Sequence, residues 1–301
     1  MAILADESTG ILIQGITGRE ATSFARESLA YGARVVAGTT PGRGGSEVHG
    51  IPVYDCVRDA LREHPAEASV ISVPAAFARD AALEAIDNEI KLIVIVTERV
   101  PRRDAAEIIG YAGRKGSRII GPDSMGLICP GRTRIGFVGG PSRDARKSYQ
   151  PGPVGVMSRS GGMTTEMASL LTFNGLGQST CVNIGGDVIP GTSFVDLLPL
   201  FQRDPDTRVL VIFGEPGGSQ EEAVAEYVAR NPDTLPIVAF VAGRFVDGMP
   251  GRRFGHAGAV VEGNTGTVSG KARALREAGV VVADRFSQVP ALVKECLKGA
   301  G

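Results

Sequence analysis

The chain has 301 residues, 43% of them hydrophobic and 22% charged, with a net charge of −1 at neutral pH. That length suits two ordinary globular domains, and that charge excludes a broad basic surface for nucleic acid. Four scattered cysteines without a CxxC pair, and three histidines without ligand spacing, argue against a disulfide scaffold or a metal centre. The thiol pattern is the one expected of a reducing cytoplasm. No apolar run reaches the roughly 18 residues of a membrane span. The opening Met1-Ala2-Ile3-Leu4-Ala5-Asp6-Glu7 has no leader character, so neither membrane nor export signal is expected. Glycine is over-represented, at 41 residues, and clusters behind apolar runs, where a backbone turns tightly or approaches a ligand.

Strand and helix alternate through the first half. Residues 11–14 read as a strand, Gly15-Ile16-Thr17-Gly18 as a turn, and 21–31 as a helix with Phe24, Ser28, Leu29 and Tyr31 at helical spacing. A glycine turn feeding a helix N-terminus offers unpaired N–H groups and a positive dipole end to a phosphate. The spacing is Gly-x-x-Gly, not Gly-x-Gly-x-x-Gly. The second strand, 34–38, runs into Thr39-Thr40-Pro41-Gly42-Arg43-Gly44-Gly45 without the acid that would hold a ribose diol. Arg43 argues for a phosphorylated nucleotide rather than plain NAD; a mobile surface loop is the other reading these residues allow.

Strand 69–74, helix 77–86, the run Leu92-Ile93-Val94-Ile95-Val96 closing on Thr97 and Glu98, helix 104–114 and strand 118–122 continue the rhythm. Such a run is expected of a parallel strand buried on both faces, and ligands bind beyond the carboxyl ends of such strands. Five βα units predict a doubly wound parallel sheet. Residues 121–140 break the pattern and read as a short excursion of irregular strands (125–128 and 134–138) at a domain boundary, and 141–153 as an exposed polar connector. The expected division is 1–125, a boundary segment 126–152, and 153–301.

The second half restarts with strand 154–158, the turn Arg159-Ser160-Gly161-Gly162-Met163 and helix 164–173. Ser160 can cap that helix, Gly161 and Gly162 free its N–H groups for an anion, and Arg159 adds charge; a capped turn without a ligand fits the same residues. Strands 180–184, 208–213 and 237–242 follow. They end in Gly185-Gly186-Asp187, Gly214-Glu215-Pro216-Gly217-Gly218 and Gly243-Arg244. This repetition predicts that Ser160, Asp187, Glu215 and the loop Arg252-Arg253-Phe254-Gly255-His256-Ala257-Gly258-Ala259 share one carboxyl edge. Small neighbours leave the His256 imidazole accessible. A carboxylate beside it would orient it and fix its tautomer, with Glu215 best placed. A structural histidine and a helix-dipole role for Glu215 are the competing readings.

In this order, Gly15-Ile16-Thr17-Gly18, Thr40-Pro41-Gly42-Arg43-Gly44-Gly45, Gly121-Pro122, Ser158-Arg159-Ser160-Gly161, Gly185-Gly186-Asp187, Gly214-Glu215-Pro216-Gly217-Gly218 and Gly255-His256-Ala257-Gly258-Ala259 resemble the α subunit of succinyl-CoA synthetase and related nucleoside-diphosphate-forming acyl-CoA ligases. The resemblance covers essentially the whole chain. It implies an α/β fold, with an N-terminal Rossmann-like CoA-binding domain and a C-terminal flavodoxin-like doubly wound parallel sheet. It assigns Thr17, Gly18, Arg19 and Glu20 to the CoA-phosphate turn, Arg43 to a position where the family has lysine, and Val96, Thr97 and Glu98 to the strand end bordering CoA. His256 matches the histidine phosphorylated in turnover and Glu215 the glutamate that hydrogen-bonds it. Ser160, Gly161 and Gly162 match the helix N-terminus that receives the phosphate. The resemblance further implies an ATP-grasp β subunit holding Mg-ATP or Mg-GTP, in an αβ or (αβ)2 assembly, and a small carboxylate substrate. The carboxylate is expected to form an acyl phosphate whose phosphoryl group His256 then takes, before CoA attacks the acyl group. Neutral imidazole suits such a shuttle. The chain has no Gly-x-x-x-x-Gly-Lys-Ser/Thr loop of its own, as expected of a subunit.

The chain departs from the family in two places. Thr165, within Gly162-Met163-Thr164-Thr165-Glu166, stands where a tyrosine is expected to border the carboxylate. Asp123-Ser124-Met125 replaces Asn-Cys-Pro. The Ser-Gly-Gly-Met string and Phe254 are similar to ATP-citrate lyase and citryl-CoA synthetase. Succinate is the first expectation, with malate or citrate as alternatives. A non-catalytic CoA- or dinucleotide-binding sensor and an NAD-dependent dehydrogenase are the readings from other classes; the dehydrogenase needs an acid where Thr39-Thr40 stands.

Overall fold

The computed structural model describes residues 2–249, 256 and 266–299. Of the stretch 252–259 singled out above, only His256 is among them; its neighbours, Phe254 included, lie outside the described residues.

The first half folds as β1 (Ile11–Gln14), α1 (Arg19–Tyr31), β2 (Val35–Thr39), β3 (Glu47–Val48), β4 (Ile51–Tyr54), α2 (Val57–Glu63), β5 (Ala68–Ile71), α3 (Ala75–Asp87), β6 (Leu92–Ile95), α4 (Arg102–Lys115) and β7 (Arg118–Ile120). Its strands lie in the order β3-β4-β2-β1-β5-β6-β7, all parallel except the β3–β4 hairpin. Every residue of β1, β5 and β6 is buried, which explains the unbroken apolar run of β6 and the largely apolar β1 and β5, where Gln14 and Ser69 are the polar exceptions. From β1 the chain builds outward on one side through β2 and on the other through β5, so a crevice opens at the Gln14 end, where Gln14 pairs with both Thr39 and Ile71. The β3–β4 hairpin and α2 were not expected. Two residues are too few to show a period, and the hairpin depends on His49 (φ 52°) and Gly50 (φ 81°) both adopting the left-handed conformation of a primed turn.

The second half contributes β8 (Gly126–Cys129), β9 (Thr133–Gly136), α5 (Ser142–Ser148), β10 (Pro151–Ser158), α6 (Gly161–Phe173), β11 (Gln178–Asn183), α7 (Phe194–Gln202), β12 (Val209–Gly214), α8 (Gln220–Arg230), β13 (Ile237–Val241), α9 (Val268–Glu277), β14 (Val281–Val282) and α10 (Val289–Gly299). The sheet order is β14-β13-β12-β10-β11-β8-β9. β10 is its switch point, with Ser158 beside Asn183 of β11 and Phe213 of β12.

Two expectations about the middle of the chain need correcting. The two strands expected near 125–128 and 134–138 are present as β8 and β9, but they are not an irregular boundary excursion: β8 pairs antiparallel with β11 and β9 with β8, so this hairpin is the edge of the second sheet. Residues 141–153 are not an exposed connector. They hold α5, buried Ala145, and Tyr149 at 1% exposure, and they begin β10. Charged α5 residues hid a short amphipathic helix that packs on α1. Among the described residues no helix is long and apolar enough to cross a membrane.

Candidate active site

The carboxyl ends of both sheets open onto one cavity of about 1020 Å³. The first half lines it with Gly18, Arg19 and Glu20 at the start of α1 and with Val96, Thr97 and Glu98 beyond β6; the second half adds Ser160, Gly161, Gly162 and His256. A neighbouring cavity of about 750 Å³ shares Gly18, Ser72, Val73 and Pro74 with it and runs past Thr17, Thr40, Asp55 and Phe77. Together they form a trough across the crevice of the first sheet that ends at the imidazole.

His256 Nδ1 lies 2.8 Å from Glu215 Oε2. With the carboxylate ionised, Nδ1–H donates and Nε2 is left with the free lone pair. The side chain is 30% exposed, so that nitrogen is reachable from the cavity. The Glu215 hydrogen bond raises the imidazole pKa above 6.5; burial opposes this, the Glu215 and Asp123 charges add to it, and Arg159 works against it. Beneath the ring sits Gly186, where a Cβ would lie 2.5 Å from His256 Cγ, so only glycine lets the imidazole lie flat there.

Glu215 is itself held from behind. Its N–H donates to Glu221 Oε1 at 3.1 Å. Lys271, fully buried on α9, pairs with Glu221 Oε2 and donates to Gly217 O at 2.9 Å, with Glu222 Oε2 3.4 Å away. Arg159, 4% exposed, reaches Gly217 O at 3.4 Å. A buried charge needs such pairing, and here the pairing fixes the loop that carries Glu215. Lys271 and Glu221 escaped the sequence reading, because residues 50 apart on two helices give no local signal.

Ser160 caps α6, its side chain accepting from Met163 N at 3.4 Å, as expected. The Gly161 Cβ position is filled by the Met125 side chain, so that glycine makes room for the segment crossing from the first half. α1 starts differently: Gly18 provides no side-chain cap, which leaves first-turn N–H groups for an anion in the cavity. The preceding turn depends on Gly15 (φ 81°), whose N–H donates to Thr39 O at 2.7 Å. Thr17 is exposed, its hydroxyl 3.1 Å from Thr40 Oγ1.

Asp123 was noted in the sequence only as a departure from a motif, yet it lies in the cavity. Its φ is 57°, a conformation aspartate tolerates better than most residues but at a cost of about 1 kcal/mol. Burial chiefly, with the nearby Glu98, Asp187 and Glu215 charges adding to it and His256 working against it, pushes its carboxyl up to about 6.

Two expected site residues stand apart. Arg43 is exposed on the loop between β2 and β3 and lines neither cavity. Thr165 lies on α6 with its hydroxyl 2.9 Å from the Tyr149 hydroxyl and does not line the cavity, so its position gives no support to a carboxylate-bordering role.

The two halves also match known families. Residues 6–99 match the CoA binding domain and residues 157–281 the CoA-ligase domain. Fold and site thus define a two-domain CoA-ligase protein. The succinate–CoA ligase [ADP-forming] subunit alpha 1 of Archaeoglobus fulgidus is 46% identical over 298 residues, 99% of each chain. The ADP-forming sulfoacetate-CoA ligase subunit SauD of Bilophila wadsworthia is 41% identical over 297 residues, 99% of this chain and 100% of that one. A mutant ATP citrate lyase of Methanosaeta concilii, solved with (3S)-citryl-CoA, superposes with a TM-score of 0.92 at 27% identity; it covers 99% of this chain, which spans 51% of that longer one. The chain belongs to the family of succinate–CoA ligase α subunits and their CoA-ligase relatives.

Proposed function

We propose that this chain is the α subunit of a nucleotide-dependent carboxylate–CoA ligase, with His256 as its phosphoryl carrier. The observation that carries this reading is the Glu215–His256 pair at the end of a trough that begins in the CoA-binding half. CoA would lie along that trough, with phosphate at the uncapped start of α1 and Arg43 at the outer end, and its thiol would approach past Val96, Thr97 and Glu98. Residues 1–125 would be the CoA-binding domain and residues from 153 onward the ligase domain. An ATP-grasp β subunit in an αβ or (αβ)2 assembly would hold the Mg-nucleotide.

Chemistry sets the order of steps and reverses the order expected from the sequence. Had His256 taken the phosphoryl group from an acyl phosphate, the carboxylate would be regenerated and the thiol would have no leaving group to expel. His256 Nε2 therefore accepts the γ-phosphoryl group from NTP first. The carboxylate then attacks phosphohistidine to give the acyl phosphate and free imidazole. The CoA thiol attacks the acyl carbon and releases inorganic phosphate. The N-terminus of α6 at Ser160, Gly161 and Gly162 would hold the phosphate through its N–H groups and dipole.

Succinate is the first acid to test, then malate and citrate; sulfoacetate joins them because a 41% identical relative is named for it. Incubating the assembled complex with γ-labelled ATP should place an acid-labile, base-stable label on this chain that His256→Ala abolishes. A wild-type complex without label would leave the non-catalytic CoA-binding sensor as the better reading. The dehydrogenase alternative ends with the family assignment.

A further inference from the structure

We propose that Asp123 holds the phosphoryl group on His256 as a protonated carboxyl: it takes up a proton when the imidazole is phosphorylated and donates its O–H to a phosphoryl oxygen. This rests on the ligase reading above and adds a proton to its first step. A phosphoryl group brings nearly two negative charges and three acceptor oxygens, so a carboxylate beside it repels while a neutral donor holds it. Asparagine, which the resembled family carries at this position, is a neutral donor at any pH. Aspartate becomes one only by taking a proton.

Asp123 is fixed in the cavity wall beside the reacting nitrogen. It lines the same cavity as Ser160, Gly161, Gly162 and His256. Its N–H donates to Thr97 O at 3.1 Å and its C=O accepts from Gly186 N at 3.1 Å, so its backbone is pinned on both sides. A methyl group on Gly186 would lie 2.6 Å from His256 Cδ2 and 2.8 Å from Asp123 Oδ2, so the carboxyl and the ring edge that adjoins Nε2 close on one point. A phosphoryl group on Nε2 therefore comes up beside Asp123. Among the described residues the Asp123 side chain makes no hydrogen bond, so nothing competes with the phosphate for it.

The other carboxylates acting on Asp123 are Glu98 from the first sheet and Asp187 and Glu215 from the second, and each is paired or solvated. Glu215 accepts the imidazole Nδ1–H, Asp187 accepts the Ile189 N–H at 3.2 Å, and Glu98 is exposed. Arg159 lies on the imidazole's side, and Arg19 and Glu20 face the cavity from α1. Half-buried Asp123 is the carboxylate that gives way. Its titration already stands at about 6, mainly through burial. The arriving phosphoryl charge raises it further, past neutrality. In the step, the Nε2 lone pair forms the N–P bond, and the bond to the leaving nucleoside diphosphate breaks with its electron pair on that diphosphate. Nδ1–H stays on Glu215, and one proton from solvent goes to Asp123. That proton returns to solvent when the phosphoryl group leaves for the carboxylate substrate.

The test uses the assembled complex and measures the equilibrium between Mg-ATP and labelled phosphohistidine against pH. The constant for wild type relative to Asp123→Asn should fall at least about tenfold between about pH 6 and pH 8, because only the wild type needs a proton to keep its donor. At about pH 7, phosphorylation should take up at least about half a proton more in wild type than in Asp123→Asn. Asp123→Ala, which has no donor, should hold about tenfold less phosphohistidine than either at about pH 5.5. The same pH dependence in wild type and Asp123→Asn, or wild-type levels of phosphohistidine in Asp123→Ala at the low pH, would each overturn the assignment. If Asp123→Asn does not fold, infrared difference spectra of the wild type decide. Phosphorylation at neutral pH must then bring up the C=O band of a protonated carboxyl, and its absence overturns the role. A complex that labels His256 but fails these comparisons leaves the ligase reading standing; one that never labels His256 refutes that reading, and this role with it.

Discussion

Glu215 Oε2 and His256 Nδ1 lie 2.8 Å apart, and this contact decides which imidazole nitrogen is the nucleophile. It also sets the pH at which that nitrogen is usable. The hydrogen bond from the imidazole to Glu215 holds the His256 pKa above 6.5. The stability this pair contributes is therefore fully present below 6.5 and lost as pH rises through the folded value. Phosphoryl acceptance runs the other way, because only neutral imidazole attacks, and should rise with pH through the same point. Glu215→Gln should shift that midpoint to lower pH and reduce the plateau about 10²-fold. The rate of phosphohistidine formation against pH measures both, and an unmoved midpoint would contradict the pairing.

Lys271→Met removes a cation with no exposed side-chain surface and leaves Glu221 buried without it. Breaking such a pair costs about 3–5 kcal/mol, which urea denaturation should show. Because Glu221 holds the Glu215 N–H, phosphohistidine formation should drop as well, even at temperatures where the variant is folded.

Gly186→Ala tests the flatness of the site. The added methyl would sit 2.5 Å from the His256 ring, so the imidazole must swing away from Glu215. Labelling of His256 should fall at least about tenfold, the equivalent of one weak hydrogen bond, with CoA affinity unchanged by calorimetry. Equal loss of both would show a general collapse instead.

Asp123→Asn should stabilise the folded chain at neutral pH. A carboxyl raised from 3.8 to about 6 costs stability as it ionises, so the penalty grows between those values and is complete above about 6. Discounted for solvent screening, the gain is about 1–2 kcal/mol at pH 7. It should vanish below pH 4, which thermal unfolding at the two pH values would reveal.

Arg43→Ala should weaken CoA about tenfold and dephospho-CoA much less, the loss of one charge-assisted contact being about 1.5 kcal/mol. Equal weakening of both ligands would place Arg43 away from the phosphate.

The largely apolar runs at β1, β5 and β6 made the first parallel sheet legible, because strands buried on both faces leave few polar interruptions in the chain. The Glu215–His256 pairing was legible for a related reason: strand ends in a doubly wound sheet converge, and both residues follow apolar runs. Asp123, Lys271 and Glu221 were not. Asp123 takes its properties from burial and from carboxylates of other elements. The Lys271–Glu221 pair joins two helices through the interior. The strands of the β8–β9 hairpin were legible but their place at the sheet edge was not, because their partner, β11, lies some 50 residues further on and pairs antiparallel in an otherwise parallel sheet.

The path of residues 126–149 bears on how the molecule can move. The chain leaves β7, builds the β8–β9 edge of the second sheet, and returns to lay α5 along α1. Ser142 N donates to Glu27 Oε2 at 2.8 Å, Arg146 Nη2 to Tyr31 O at 2.8 Å, and Gly131 N to Tyr31 Oη at 3.2 Å. A hinge between the halves would have to tear these bonds and slide α5 off α1. The segment acts as a weld rather than a linker, so the trough is preformed, and ligands must enter along its open length instead of waiting for the two lobes to part.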